Sequence, residues 1–126
     1  MSGRVVHFEV PAEDFDRATE FYRSAFGWSI SPMPGMEYLM LSPTPTDEQG
    51  MPVEAGSING GMFKRDAERP NPVITIDVAN IDATLEKVGT LGGSTVLPKQ
   101  EVGGMGFVAY FTDSEGNLMG LWQNPA

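Results

Sequence analysis

The 126-residue sequence contains no cysteine and a single histidine. Without cysteine there is no disulfide, thiolate nucleophile, iron–sulfur cluster or zinc finger. With one imidazole, no two-histidine metal site can be built within one chain. Basic residues are also few: 8 Lys and Arg stand against 17 Asp and Glu, for a net charge of −9. Nucleic acids and anionic membrane surfaces are bound through Lys and Arg, so neither is an expected partner. No run approaches the roughly 18 apolar residues that span a bilayer, and the first ten residues lack the basic-then-apolar pattern of a signal peptide. The expectation is a cytoplasmic protein with a solvated acidic surface.

Local patterns repeat along the chain. In Arg4–Val10, the apolar Val6, Phe8 and Val10 alternate with Val5, His7 and Glu9, the period of a strand with one apolar and one mixed face. Pro11 to Asp14 then opens a helix, in which Phe15, Ala18, Tyr22 and Ala25 form one stripe. Extended segments follow at Trp28–Ile30, Tyr38–Ser42 and Ser57–Phe63, with a loop rich in turn-formers over residues 43–56. After a charged, proline-bearing connector at 64–72, the order begins again. Val73–Val78 alternates as the first strand does, Asn80 is placed to cap a helix, and Ile81, Leu85, Val88 and Leu91 form its stripe. Strands are expected at Ser94–Leu97, Phe107–Thr112 and Leu118–Gln123, the last two joined by a turn at Asp113–Asn117. The length suits one α+β domain over residues 1–126, made of a module at about 4–63, the connector, and a module at about 73–123.

Certain stretches have a family look. His7-Phe8-Glu9-Val10-Pro11-Ala12-Glu13-Asp14, followed by Ala18, Phe21-Tyr22 and Phe26-Gly27-Trp28, resembles the first module of the vicinal oxygen chelate superfamily. That superfamily includes glyoxalase I, bleomycin resistance proteins and extradiol dioxygenases. Val78-Ala79-Asn80-Ile81-Asp82, Gly92-Gly93 and Asp113-Ser114-Glu115-Gly116-Asn117 before Leu121-Trp122-Gln123 resemble its second module. The resemblance implies paired βαβββ modules whose mixed sheet forms a cup with the helices outside. It also implies a homodimer and chemistry inside the cup.

Metal-using relatives draw four ligands from the first and last strands of the two modules. Carried onto this sequence, His7 holds the first position, Gly60 or Gly61 the second, Thr75 the third and Gly120 the fourth. Only His7 is a ligand type, and a divalent metal needs three or four protein ligands, so no metal and no other cofactor is expected. A His7–Glu9–Asp77 set is chemically suited to iron or manganese, but residues two apart on a strand lie about 7 Å apart and would have to converge.

The expected function is therefore binding of a small, partly apolar organic molecule in the cup, as in the bleomycin-resistance branch. The ligand-binding candidates are His7, Met62, Thr75, Gly120 and Trp122, with room beside bare Gly120 for a flat ring to stack on Trp122. Met33, Met40, Met105 and Met119 lie near the same strands, where methionine serves equally as core filler. His7 and Glu9 are the candidate acid–base pair. The bland alternatives are a sheet-bonded histidine, and acids at Glu9 and Asp77 that orient the helices following them. Two other functions remain open: a glyoxalase-like lyase or dioxygenase-like enzyme with an unusual metal set around His7, and a structural subunit without a small ligand.

Overall fold

The computed structural model describes residues 3–125, and its class is the expected α+β. Strands β1 (Val5–Ala12), β2 (Ser29–Pro32), β3 (Tyr38–Ser42) and β4 (Asn59–Lys64) accompany helix α1 (Phe15–Phe26). Strands β5 (Val73–Asp77), β6 (Ser94–Val102), β7 (Gly106–Thr112) and β8 (Leu118–Gln123) accompany helix α2 (Ile81–Thr90). The chain divides into two compact units, one of residues 7–72 and one joining residues 3–6 to residues from Val73 onward.

Each unit is βαβββ with the same pairing scheme. In the first, β1 runs parallel to β4, β4 antiparallel to β3, and β3 antiparallel to β2. In the second, β5 runs parallel to β8, β8 antiparallel to β7, and β7 antiparallel to β6. Residues just before β1 complete the second unit: Asp77 N donates to Arg4 O at 2.8 Å, and the Arg4 guanidinium reaches the Asp77 carboxylate at 3.4 Å.

The helices form where the sequence gives them caps. Asp14 Oδ1 accepts from Arg17 N at 3.0 Å to start α1, and Asn80 Oδ1 accepts from Ala83 N at 2.9 Å to start α2. Of the acids weighed as orienting these helices, Glu9 accepts from Tyr38 of its own sheet and Asp77 pairs with Arg4. Each helix covers one face of its own unit. Phe15, Ala18, Tyr22 and Trp28 pack on Ala12, Ile30, Leu41 and Met62, while Leu85 and Val88 pack with Ile81 on Ala109, Phe111 and Leu121. The expected stripe of α2 stops short, because Leu91 lies past the last turn and is exposed.

β6 runs five residues beyond its expected end and is irregular, with register shifts against β7 between Thr95 and Leu97 and between Leu97 and Gln100. A turn recurs in the two units. Asp47 Oδ1 accepts from the amides of Gln49 and Met51, and Asp113 Oδ1 accepts from those of Glu115 and Asn117, each at 2.9 Å. Gly50 and Gly116 complete these turns at φ of 81° and 82°, a conformation glycine reaches without a Cβ clash.

Candidate functional site

In each unit the sheet face away from the helix carries the candidate residues other than Met62. Alternation puts His7 and Glu9 of β1 on one side and Phe8 and Val10, which pack with the α1 core, on the other. The parallel register sets Asn59 across from His7 and Gly61 across from Glu9, so these four share a face. Tyr38 reaches that face from β3, two strands away from β1.

The Tyr38 hydroxyl is the centre of the arrangement. It donates to Glu9 Oε2 at 2.8 Å and lies 2.9 Å from His7 Nε2. His7 and Glu9 need not converge, because a phenol oxygen stands between them. The bare backbone of Gly61 makes this possible: a Cβ there would collide with Tyr38 Oη and its ring. Glu9 is 6% exposed. Burial holds the His7 imidazole below its ordinary value, an effect that the nearby Glu9 charge partly offsets.

The second unit contributes a plainer face. Thr75 lies across from Gly120, and Asp77 across from Trp122. Thr75 is buried, and a Cβ on Gly120 would come within 2.9 Å of its hydroxyl oxygen. The space expected beside Gly120 for a stacked ring is thus filled by the Thr75 side chain. Trp122 instead covers Gly106, where any Cβ would meet the indole, and its Nε1 donates to Asn124 Oδ1 at 2.9 Å. Gln123, on the other side of β8, accepts from Ile81 N at 2.8 Å at the start of α2.

Two sequence assignments move. Met62 is fully buried among Ala12, Ile30 and Leu41 under α1, on the side of β4 opposite Gly61, so it stands with the core and apart from His7. The residue across from His7 is Asn59, the same relation Gly120 has to Thr75, whereas the sequence reading put Gly60 or Gly61 at that second position. Gly60 faces the other way and lies against Phe8. Sequence reasoning missed both Tyr38 and Asn59. Tyr38 entered the sequence reading only as the start of a strand, although a hydroxyl in a strand near paired glycines was a usable signal.

The metal that the family resemblance implies can be tested against these donors. His7 Nε2 is engaged with Tyr38, Gly61 and Gly120 offer no side chain, and Asn59 brings only a neutral amide oxygen, its Nδ2 donating to Gly50 O at 2.7 Å. Among the described residues, no group of three or more His, Cys, Asp or Glu comes together. These residues do not fit a divalent metal of three or four protein ligands.

Comparison with known proteins agrees with the fold. Residues 4–43 match the family described as bleomycin resistance protein-like N-terminal. The curated "Putative glyoxylase CFP32" of Mycobacterium bovis and of Mycobacterium tuberculosis is 27% identical over 128 residues, covering 91% of this chain. The chain spans 43% of the length of those relatives. Streptomyces coelicolor methylmalonyl-CoA epimerase, in complex with 2-nitronate-propionyl-CoA, superposes with a TM-score of 0.68 at 18% identity over the whole of both chains. A hypothetical protein, BH1468 of Bacillus halodurans, gives a TM-score of 0.65 at 14% identity, covering 100% of this chain and 97% of its own. The fold is that of the glyoxalase and bleomycin-resistance proteins. These likenesses support the resemblance to the vicinal oxygen chelate superfamily that the sequence carries.

Proposed function

We propose that this chain is a metal-free member of the superfamily that binds a small, partly apolar organic molecule on the face carrying His7, Tyr38 and Glu9. One observation carries the reading. A phenol oxygen occupies the place that a side chain at position 61 would take, and it engages one of the two nitrogens of the only imidazole. A hydrogen-bonded His–Tyr–Glu set beside apolar side chains suits an organic ligand better than an ion, since pockets for such ligands combine apolar walls with a few fixed polar groups. The exposed Met40, two residues along β3 from Tyr38, supplies adaptable apolar surface on the same side.

Isothermal titration with nickel, zinc, manganese and iron(II) tests the metal-free half of the reading. No binding at micromolar concentration is expected, and micromolar binding lost in His7→Ala would refute it. A thermal-shift screen of small organic molecules tests the other half, with stabilisation lost in Tyr38→Phe as the expected result.

An enzyme is the second reading, favoured by the continuous hydrogen-bonded path from Glu9 through Tyr38 to His7, a chain along which protons can pass. The glyoxylase name of the mycobacterial relatives points the same way. In that reading His7 is the acid–base residue, and metal-independent turnover lost in His7→Ala distinguishes it from binding alone. We further propose a homodimer in the cytoplasm, with light scattering of the purified protein as the check. Among the described residues no helix is long and apolar enough to cross a membrane.

A further inference from the structure

The hydrogen atoms around Tyr38 can be counted. A carboxylate only accepts, so the 2.8 Å contact with Glu9 takes the one hydrogen of the phenol. The 2.9 Å contact between Tyr38 Oη and His7 Nε2 then needs its hydrogen from the ring nitrogen. In a neutral imidazole a hydrogen on Nε2 leaves Nδ1 with a lone pair. Burial favours that neutral form, and among the described residues Nδ1 has no partner.

Asn59, directly across from His7, has the same kind of unused capacity. Its Nδ2 is committed to Gly50 O, while its Oδ1 is buried and has no partner in the protein. Two neighbouring residues on one face thus each keep an acceptor. That face carries the buried Glu9 carboxylate, in a protein of net charge −9, while the Arg69 guanidinium stacked on Phe63 is paired with Asp66 at 2.8 Å.

We infer that Tyr38 is a positioning residue that fixes His7 as its Nε2–H tautomer, and that His7 Nδ1 and Asn59 Oδ1 together receive a cationic nitrogen donor, an amine or amidine, on the ligand. This inference rests on the proposed ligand face and adds the chemistry of what it takes. The buried Asn59 Oδ1 is left without a donor, which is unfavourable, and a ligand that supplies hydrogens to it and to His7 Nδ1 gains most from this face. An acceptor-only ligand gains nothing from either atom. Glu9 anchors the phenol and adds the attraction for positive charge.

Two-bond proton–nitrogen correlation spectra of the neutral protein test the tautomer directly. His7 is expected to show a protonated Nε2 and an unprotonated Nδ1; the opposite tautomer, or an even mixture, overturns the inference. Tyr38→Phe, checked for retained fold by circular dichroism, is expected to shift His7 toward a mixture, and an unchanged tautomer there also overturns it.

Benzamidine and acetophenone then serve as probes of similar size, the first a cationic donor and the second an acceptor only. Benzamidine is expected to move the His7 Nδ1 and Asn59 side-chain signals. Its affinity should fall about tenfold in Asn59→Ala and in Tyr38→Phe, the loss of one charged hydrogen bond. Acetophenone binding as tightly as benzamidine refutes the donor preference but leaves an organic-ligand face standing. If neither probe binds, the donor site and the proposed ligand face fail together, whatever the tautomer.

Discussion

The phenol of Tyr38 lies over the bare backbone of Gly61, and only the absent Cβ there lets its hydroxyl reach His7 and Glu9. Two residues on adjacent strands are therefore matched, one by its reach and the other by its emptiness. The match explains how a histidine and a glutamate two positions apart on β1 act as one unit.

Gly61→Ala should destabilise the protein by about 1–3 kcal/mol, the range for overpacking a well-packed position. In a Tyr38→Ala background the same change should be close to neutral, because the obstruction has gone. Urea denaturation of the four proteins in this cycle measures the coupling. Additive effects would show that the two residues are independent.

Tyr38→Phe keeps the ring but removes the hydroxyl, leaving the buried Glu9 carboxylate and His7 Nε2 without that partner. The expected loss is about 1–3 kcal/mol of unfolding free energy. Glu9→Gln, which retains an acceptor oxygen, should lose less. Chemical denaturation monitored by tryptophan fluorescence provides both values.

Met62→Ala should lower stability by about 2–5 kcal/mol, the range for emptying a fully buried core site. Because Met62 lies under α1 on the far side of β4, ligand affinity per folded molecule should stay constant. A titration in which Met62→Ala abolishes binding while the circular dichroism spectrum is unchanged would place this residue in the site after all.

Acid should weaken the fold through His7. Its imidazole is held below the ordinary value of 6.5, so between those two values the unfolded chain binds the proton and the folded chain resists it. Stability then declines as the pH falls below about 6.5 and levels off once the folded imidazole is also charged. Unfolding free energies at about pH 7.5 and pH 5.5 should differ in the native protein and differ less in His7→Gln. An equal difference in both proteins would remove His7 as the cause.

The recurrent aspartate–glycine turn offers a paired comparison. Gly50→Ala and Gly116→Ala each force a Cβ into a left-handed backbone, at a cost of about 1–2 kcal/mol. Similar losses in melting experiments are expected from the two positions, since the aspartate-to-amide hydrogen bonds of the two turns correspond, Asn117 adding one side-chain bond to Asp113. A loss at only one position would mean that the turns are alike in geometry but not in energetic weight.

The order of strands and helices was legible in the sequence because period-2 and period-3.6 patterns are local. The Asn80 cap and the turn at Asp113–Asn117 were legible for the same reason. Element ends were less so: β6 continues past Leu97 through a proline and a charged stretch, where pairing with β7 overrides local preference. The site was legible only in part. His7 and Glu9 follow from alternation along one strand, but Tyr38 and Asn59 join them through strand register, which no local pattern encodes. The glycine pair was conspicuous, yet finding that Asn59, and neither glycine, lies across from His7 required knowing where β4 pairs. Met62 looked like a pocket residue because its neighbours were, and the same alternation turned it into the core.

The crossing of Tyr38 over Gly61 also constrains how the sequence can change. Any larger residue at position 61 meets an occupied space while Tyr38 remains, and loss of Tyr38 first leaves His7 and Glu9 without their common partner. Each order of mutation passes through a less stable intermediate. A lineage that has acquired this pair is therefore held by a ratchet, in which the route back to a side chain at position 61 is closed to single steps.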